Sequence, residues 1–196
     1  MTKKKLILAV TGASGSIYAK RLIDRFQTKQ LNEQIEDLAL VFSKNAPDVW
    51  MHEIGNFEPG NFPFTSYNLN DYNAPFASGS ARYTTMIICP CSMGTLGRIA
   101  HGISDDLIGR AADVILKERR KLILVPRENP LNLIHISNFK ILAKAGAIIS
   151  PAIPSFYSKP KTIEELVDTV INRILDLAGF EVDGYRWKGA GEKRVI

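Results

Sequence analysis

The chain has 196 residues, 45% of them hydrophobic, which suits one domain with a sizeable buried core. Its formal charge of +5 is dispersed, with no basic tail beyond Lys3, Lys4 and Lys5, and this favours small anionic ligands over nucleic acid. Two cysteines separated by one proline (Cys89, Cys91) argue against a disulfide scaffold, and three scattered histidines (His52, His101, His135) against a zinc site. The apolar run after the N-terminal lysines is too short for an export signal, and no segment approaches membrane-spanning length, so a cytoplasmic protein is expected.

In chain order, Leu6 to Thr11 reads as a buried strand, "GASG" (12–15) as a turn, and the following residues as a helix to about Lys29. "DLALVF" (37–42) is a second strand, followed by a helix from Asn45 to Glu53 that carries Pro47 in its first turn, where the missing N–H is tolerated. The stretch from Gly55 to Gly79 shows no period, and its many aromatics point to packing or assembly rather than to ligand contact. "TMIICP" (85–90) is a third strand, with helices expected from Met93 to His101 and from Asp106 to Arg119. "KLILVP" (121–126) is a fourth strand, Pro130 to Lys144 a helix ended by Gly146, and "AIIS" (147–150) a short strand. A last helix runs from Ile163 to Ala178, with Thr162 as N-cap and Glu165 at its third position. A single domain over residues 1–178 is expected. Residues 179–196, with Tyr185 and Trp187, form a tail suited to a subunit interface.

Continuous apolar strands separated by helices imply a mostly parallel sheet covered on both faces, with ligands outside the carboxyl ends of the strands. Four polar loops share that rim: 12–16, 43–46, 91–95 and 126–129. "TGASG" exposes backbone N–H groups at a helix start with Ser14 and Ser16 adding hydroxyls, which suits phosphate, and "CSMGT" repeats the device; both also read as compact strand-to-helix turns. Neither GxGxxG nor GxxxxGK[ST] is present. Arg127 and Glu128, just past a buried strand, read as a phosphate clamp with its carboxylate partner or as a rim ion pair. Arg110 and Lys117 lie about two helical turns apart and share one face. Taken alone, Tyr157 reads as a ligand-facing phenol or a packed aromatic, and Arg173 as a surface charge.

In combination, "TGASG", "PCSMGTL", "GRAADVILKERRKLILVPRE", "PLNLIHISNF" and "PAIPSFY" strongly resemble the flavin prenyltransferases, the UbiX/Pad-like family, and the likeness covers most of residues 6–178. The resemblance implies a Rossmann-like, flavodoxin-type three-layer α/β sandwich. It implies reduced FMN at the sheet rim, dimethylallyl phosphate beside it, and transfer of the prenyl group to N5 and C6 of the flavin without a metal. The prenylated FMN serves a UbiD-like decarboxylase, in ubiquinone synthesis or aromatic-acid decarboxylation. By matching motifs, Gly12, Ala13, Ser14, Ser43, Ser92, Met93, Gly94, Thr95 and Arg127 are expected to hold FMN. Arg110, Lys117, Glu128, Tyr157 and Arg173 are expected around the dimethylallyl phosphate, with Glu53 as an acid near the flavin. Where the family usually has lysine after "PCSM", this chain has Gly94, which keeps the backbone donors and removes a charge.

On this reading Lys117, Arg173 and Arg110 stabilise the departing phosphate, Tyr157 donates a hydrogen bond, and Glu128 or the phosphate moves the proton. The resemblance further implies a homo-oligomer, a dodecamer built from trimers, with sites at subunit boundaries. Two other functions are weighed: an FMN-dependent cysteine decarboxylase of the phosphopantothenoylcysteine or peptidyl-cysteine type, and a non-catalytic flavin-binding subunit. The "LKERR" and "IPSFY" motifs favour the prenyltransferase.

Overall fold

The computed structural model describes residues 3–182. Its elements in chain order are β1 (Lys4–Val10), α1 (Ser16–Gln27), α2 (Lys29–Asn32), β2 (Ile35–Phe42), α3 (Ala46–Glu53), β3 (Thr65–Tyr67), β4 (Thr85–Cys91), α4 (Met93–Ala100), α5 (Leu107–Lys117), β5 (Lys121–Pro126), α6 (Leu133–Lys144), β6 (Ile148–Ile149) and α7 (Ile163–Leu177). The strands form one sheet in the order β3-β2-β1-β4-β5-β6, and every pair is parallel.

Alternation along β1 builds the two layers that cover the sheet. Leu6, Leu8 and Val10 face α1, α3 and α7, while Ile7 and Ala9 face α4, α5 and α6. Residues 6–10 are at most 1% exposed, as expected of a central parallel strand. On α7, Val167, Val170, Ile171, Ile174 and Leu175 form the buried stripe that docks on α1, each contributing about 1.5–3 kcal/mol by leaving water. Thr162 caps α7 as expected, its Oγ1 accepting the Glu165 N–H at 3.1 Å, but Glu165 returns to the Lys161 N–H rather than to the cap residue. Helix α6 starts three residues later than Pro130, because Asn132 supplies the cap and the His135 ring accepts the Asn132 N–H in return.

The aperiodic stretch holds a strand the sequence pattern did not reveal, β3, which pairs with β2 over only three residues. Its aromatics mostly turn inward. Phe57 and Phe62 close on Phe42 at 4.9 and 5.2 Å between ring centroids, and Phe76 is clasped between Tyr67 and Tyr83. Phe180, from the expected tail, packs on Phe26 at 5.4 Å; Tyr185 and Trp187 lie outside the described residues.

Candidate functional site

The chain leaves β1 for β2 on one side and later returns to place β4 on the other, so the carboxyl ends of β1 and β4 flank the switch point of the sheet. In open parallel sheets the connections diverge at such a point, which is where ligands bind. Thr11, 1% exposed, joins the two strand ends. Its N–H and Oγ1 both donate to the Pro90 carbonyl (3.2 and 2.8 Å), and Oγ1 accepts the Ser92 N–H at 2.7 Å. Pro90 lies where the β4–β5 register shifts, a place where its missing N–H costs the ladder nothing.

Around this joint stand the flavin residues expected from sequence. A Cβ on Gly12 would lie 2.7 Å from the Asn45 Cβ, so the first loop lies directly on the second. Ser43 ties that second loop to β1 through its N–H to the Val10 carbonyl at 2.9 Å. Ala13 is buried and Ser14 exposed, with the Ser14 carbonyl accepting Arg127 Nε at 2.9 Å. Arg127 also donates its own N–H to the Cys91 carbonyl at 3.4 Å, and so spans the ends of β1, β4 and β5. Gly15 adopts φ 112°, a left-handed conformation that glycine takes without steric cost, and the Tyr18 ring lies under it.

The start of α1 holds the chain's own anion. Glu53 accepts the Gly15 N–H at 2.9 Å and the Ser16 N–H at 2.7 Å, doing from the end of α3 what no side chain of the turn itself does. Burial works to raise the Glu53 pKa. The Ser14 and Ser16 hydroxyls and these two amides outweigh it, leaving the carboxyl below its ordinary value.

The second helix start is different. Ser92 caps α4 by accepting the Thr95 N–H at 3.3 Å, while the Met93 and Gly94 amides have no protein partner among the described residues. Met93 and Thr95 are buried, and Gly94 has open space where a side chain would stand. The phosphate-binding device expected of both loops is therefore spent at α1 and available at α4. Burial pushes both thiols beneath this loop up, Cys91 to about 12, which removes them as nucleophiles.

The residues expected around the prenyl donor separate. Glu128 follows Arg127 on the rim, exposed, with its carboxylate accepting the Asn129 N–H. Tyr157 lies on the loop after β6, exposed, with Ala152 of the same loop bound to the Pro126 carbonyl at the end of β5. Arg110 stands one turn into α5, donating to the Ala77 carbonyl and paired with Asp113. Lys117 ends α5, and the neighbouring Arg120 guanidinium binds the carbonyls of Gly79 and Tyr83, just before β4 begins. In a parallel sheet that is the edge opposite the rim. Arg173, paired with Asp176 at 2.9 Å, sits one turn before the end of α7, where Leu177 meets Lys121 at the start of β5. One chain thus joins the loops after β1, β2 and β4 at the rim and places Lys117 and the end of α7 that carries Arg173 at the opposite edge.

Thr11 and Asn45 escaped the sequence reading. A threonine at a strand end gave some signal, whereas Asn45 is revealed only by its approach to Gly12.

The family model for Flavoprotein matches residues 1–175. The flavin prenyltransferase UbiX of Methanocaldococcus jannaschii is 42% identical over 178 residues, covering 90% of this chain and 94% of that protein. The chain belongs to the flavin prenyltransferases of the Flavoprotein family. A dodecameric FMN-dependent UbiX-like decarboxylase from Escherichia coli O157:H7 superposes with a TM-score of 0.85 at 40% identity, over 94% of this chain and all of that one. A UbiX in complex with FMN and dimethylallyl pyrophosphate gives 0.82 at 39% identity, over 94% and 100%. Among the described residues no three His, Cys, Asp or Glu side chains come together as a metal site, and no helix is long and apolar enough to cross a membrane.

Proposed function

We propose that this chain transfers the dimethylallyl group of dimethylallyl phosphate to N5 and C6 of reduced FMN, in a site completed by further copies of the chain. The observation that carries the reading is the joined pair of rim loops, "TGASG" and "CSMGT", at the switch point of a flavin prenyltransferase-family sheet. The flavin phosphate belongs at the start of α4, where the Met93 and Gly94 amides and the Ser92 and Thr95 hydroxyls converge. Gly12, Ala13, Ser14, Ser43 and Arg127 then line the rest of the flavin, and Glu53 holds the first loop in shape from behind. Reduced FMN, once bound, supplies the electron-rich acceptor for the allylic carbon.

Lys117 lies at the sheet edge opposite the flavin loops. A role for it at the donor phosphate therefore requires that one copy present this edge to the rim of another. The same holds for Arg173, one turn before the Leu177 carbonyl that Lys121 binds at the start of β5, while Glu128 stands on the rim itself. Fixed cations around the departing phosphate stabilise the charge that develops as the carbon–oxygen bond breaks. The two buried free cysteines suit a reducing cytoplasm, where a UbiD-like decarboxylase would receive the product.

Anaerobic incubation of the protein with reduced FMN and dimethylallyl phosphate, then mass analysis of the released flavin, tests the reading. The expected result is a gain of one C5H8 unit. Unmodified flavin from correctly folded, FMN-loaded protein overturns it, and the diphosphate run in parallel shows which donor the site takes.

A further inference from the structure

One guanidinium near the flavin loops has no part in the reading above. Arg98 stands in the second turn of α4, three residues beyond Thr95, and its Nη2 donates to the Thr95 hydroxyl at 3.5 Å. Residues at that spacing share a helix face. Two carboxylates of the next connection aim the guanidinium: Asp105 lies 3.3 Å from Nε and Asp106 3.3 Å from Nη2. Asp106 is itself fixed. It is 9% exposed, and its other oxygen accepts the Gly109 N–H at 2.7 Å as the cap of α5. Arg98 is thus anchored on the start of one helix while it reaches toward the start of another.

Counting protons gives this contact a consequence. Ser92 Oγ accepts the Thr95 N–H at 3.3 Å and donates its own proton to Thr95 Oγ1 at 3.1 Å. A guanidinium has donors only, so Arg98 meets Thr95 Oγ1 as a second donor. A hydroxyl offers two lone pairs and one proton, and here both lone pairs are engaged. The Thr95 proton is left for an acceptor outside the chain, at the same helix start as the Met93 and Gly94 amides. Without Arg98 the pair is free to turn, Thr95 donating to Ser92 instead. Long-range attraction is not what the cluster supplies, since one cation there faces two carboxylates. Its contribution is direction.

We propose that Arg98 is a positioning residue for the flavin phosphate: it holds the Thr95 hydroxyl as a donor toward that group, and so sets the preference of the site for FMN over riboflavin, the same flavin without its phosphate. The inference rests on the reading above, in which the phosphate lies at the start of α4. Asp106 serves the same end one step further back, by fixing Arg98.

Fluorescence titration of the full chain with FMN and with riboflavin tests this in the wild type, Arg98→Met, Thr95→Val and the double variant. Arg98→Met is expected to weaken FMN about tenfold, the scale of one hydrogen bond to a charged group, and riboflavin by less than about twofold. Thr95→Val is expected to lower the preference at least as much. Adding Arg98→Met to it should then cost FMN nothing further, because the effect passes through the hydroxyl. A residue that merely packs α4 against the next connection would weaken both flavins alike and add to Thr95→Val; either result overturns the proposal. If Arg98→Met fails to fold, Asp106→Asn decides, since it keeps a capping side chain and removes the charge that holds Arg98. It is expected to lower the preference for FMN about two- to threefold, and an unchanged preference overturns the proposal. A wild type that binds riboflavin as tightly as FMN overturns the phosphate placement, and the role of Arg98 with it. One that prefers FMN, with a preference untouched by Arg98→Met, overturns the role of Arg98 alone.

Discussion

The two edges of the sheet are built by different means. At the rim, the loops after β1, β2 and β4 are tied to one another and to the strand ends by backbone groups, the buried Thr11 hydroxyl and the Glu53 and Arg127 side chains, mostly through main-chain partners, so their shape is part of the fold. At the opposite edge, Lys117, Glu118 and Arg120 are joined by side chains at the surface, with Lys117 Nζ 2.8 Å from Glu118 and Arg120 3.5 Å from it. Ion pairs of this kind are exchanged at little cost when a better anion arrives. The rim is suited to hold a rigid cofactor, and the far edge to lend a cation to another copy.

The largest effect is expected where the rim has no room. Gly12→Val would drive its Cβ into Asn45 at 2.7 Å, costing about 1–3 kcal/mol as overpacking and abolishing FMN retention. Fluorescence titration with FMN and a thermal melt measure the two. Asn45→Gly in the same chain is expected to restore part of both; a Gly12→Val protein that binds FMN normally removes this loop from the site.

Next comes the far edge. Lys117→Ala is expected to retain FMN but lose about 10²–10³ in turnover, the usual cost of deleting one preorganised charge stabiliser. Co-expressing the Lys117→Ala and Gly12→Val chains then sharpens the comparison, because mixed assemblies rebuild intact sites from two defective copies. Recovery of prenylated flavin in the mixture, absent from either chain alone, is the expected result. Failure to complement, with mixed assembly demonstrated, confines each site to one chain.

Thr11 should matter less to chemistry and more to the joint. Thr11→Val leaves the Pro90 carbonyl and Ser92 N–H short of a partner in a buried position, at about 1–3 kcal/mol, whereas Thr11→Ser keeps the hydroxyl. Urea denaturation of the pair separates the hydroxyl from the lost methyl.

The contrast between edges also explains what could be read beforehand. The strands at 6–11, 37–42, 85–90 and 121–126 declared themselves by unbroken apolar runs, and the rim loops followed from parallel topology. The strand β3 did not, because three residues carry too little alternation and it is held by β2 rather than by its own pattern. Glu53 was singled out by family resemblance, yet its place on α1 joins residues 38 apart, which no local signal encodes. Sites at subunit boundaries were expected from the resemblance, but the place of Lys117 at the edge opposite the rim loops was not read from its motif, which records residue types and not their position on the sheet.

The smallest effect tests the anion at α1. The Glu53 carboxyl titrates below its ordinary value when folded, so it stabilises the protein fully above that value, about 4.3, and the contribution fades as pH falls through the depressed folded value. Glu53→Gln keeps the size and removes the charge. At pH 7 it is expected to cost about 0.3–1 kcal/mol, the range for an exposed carboxylate at a helix start. The gap between the two proteins in urea midpoint should then close as the buffer is taken down past pH 4. A constant gap would mean that the amide keeps the shape of the turn but misses some other contact of Glu53. A gap that widens in acid would mean that the carboxyl is held protonated, the reverse of what the Gly15 and Ser16 amides dictate.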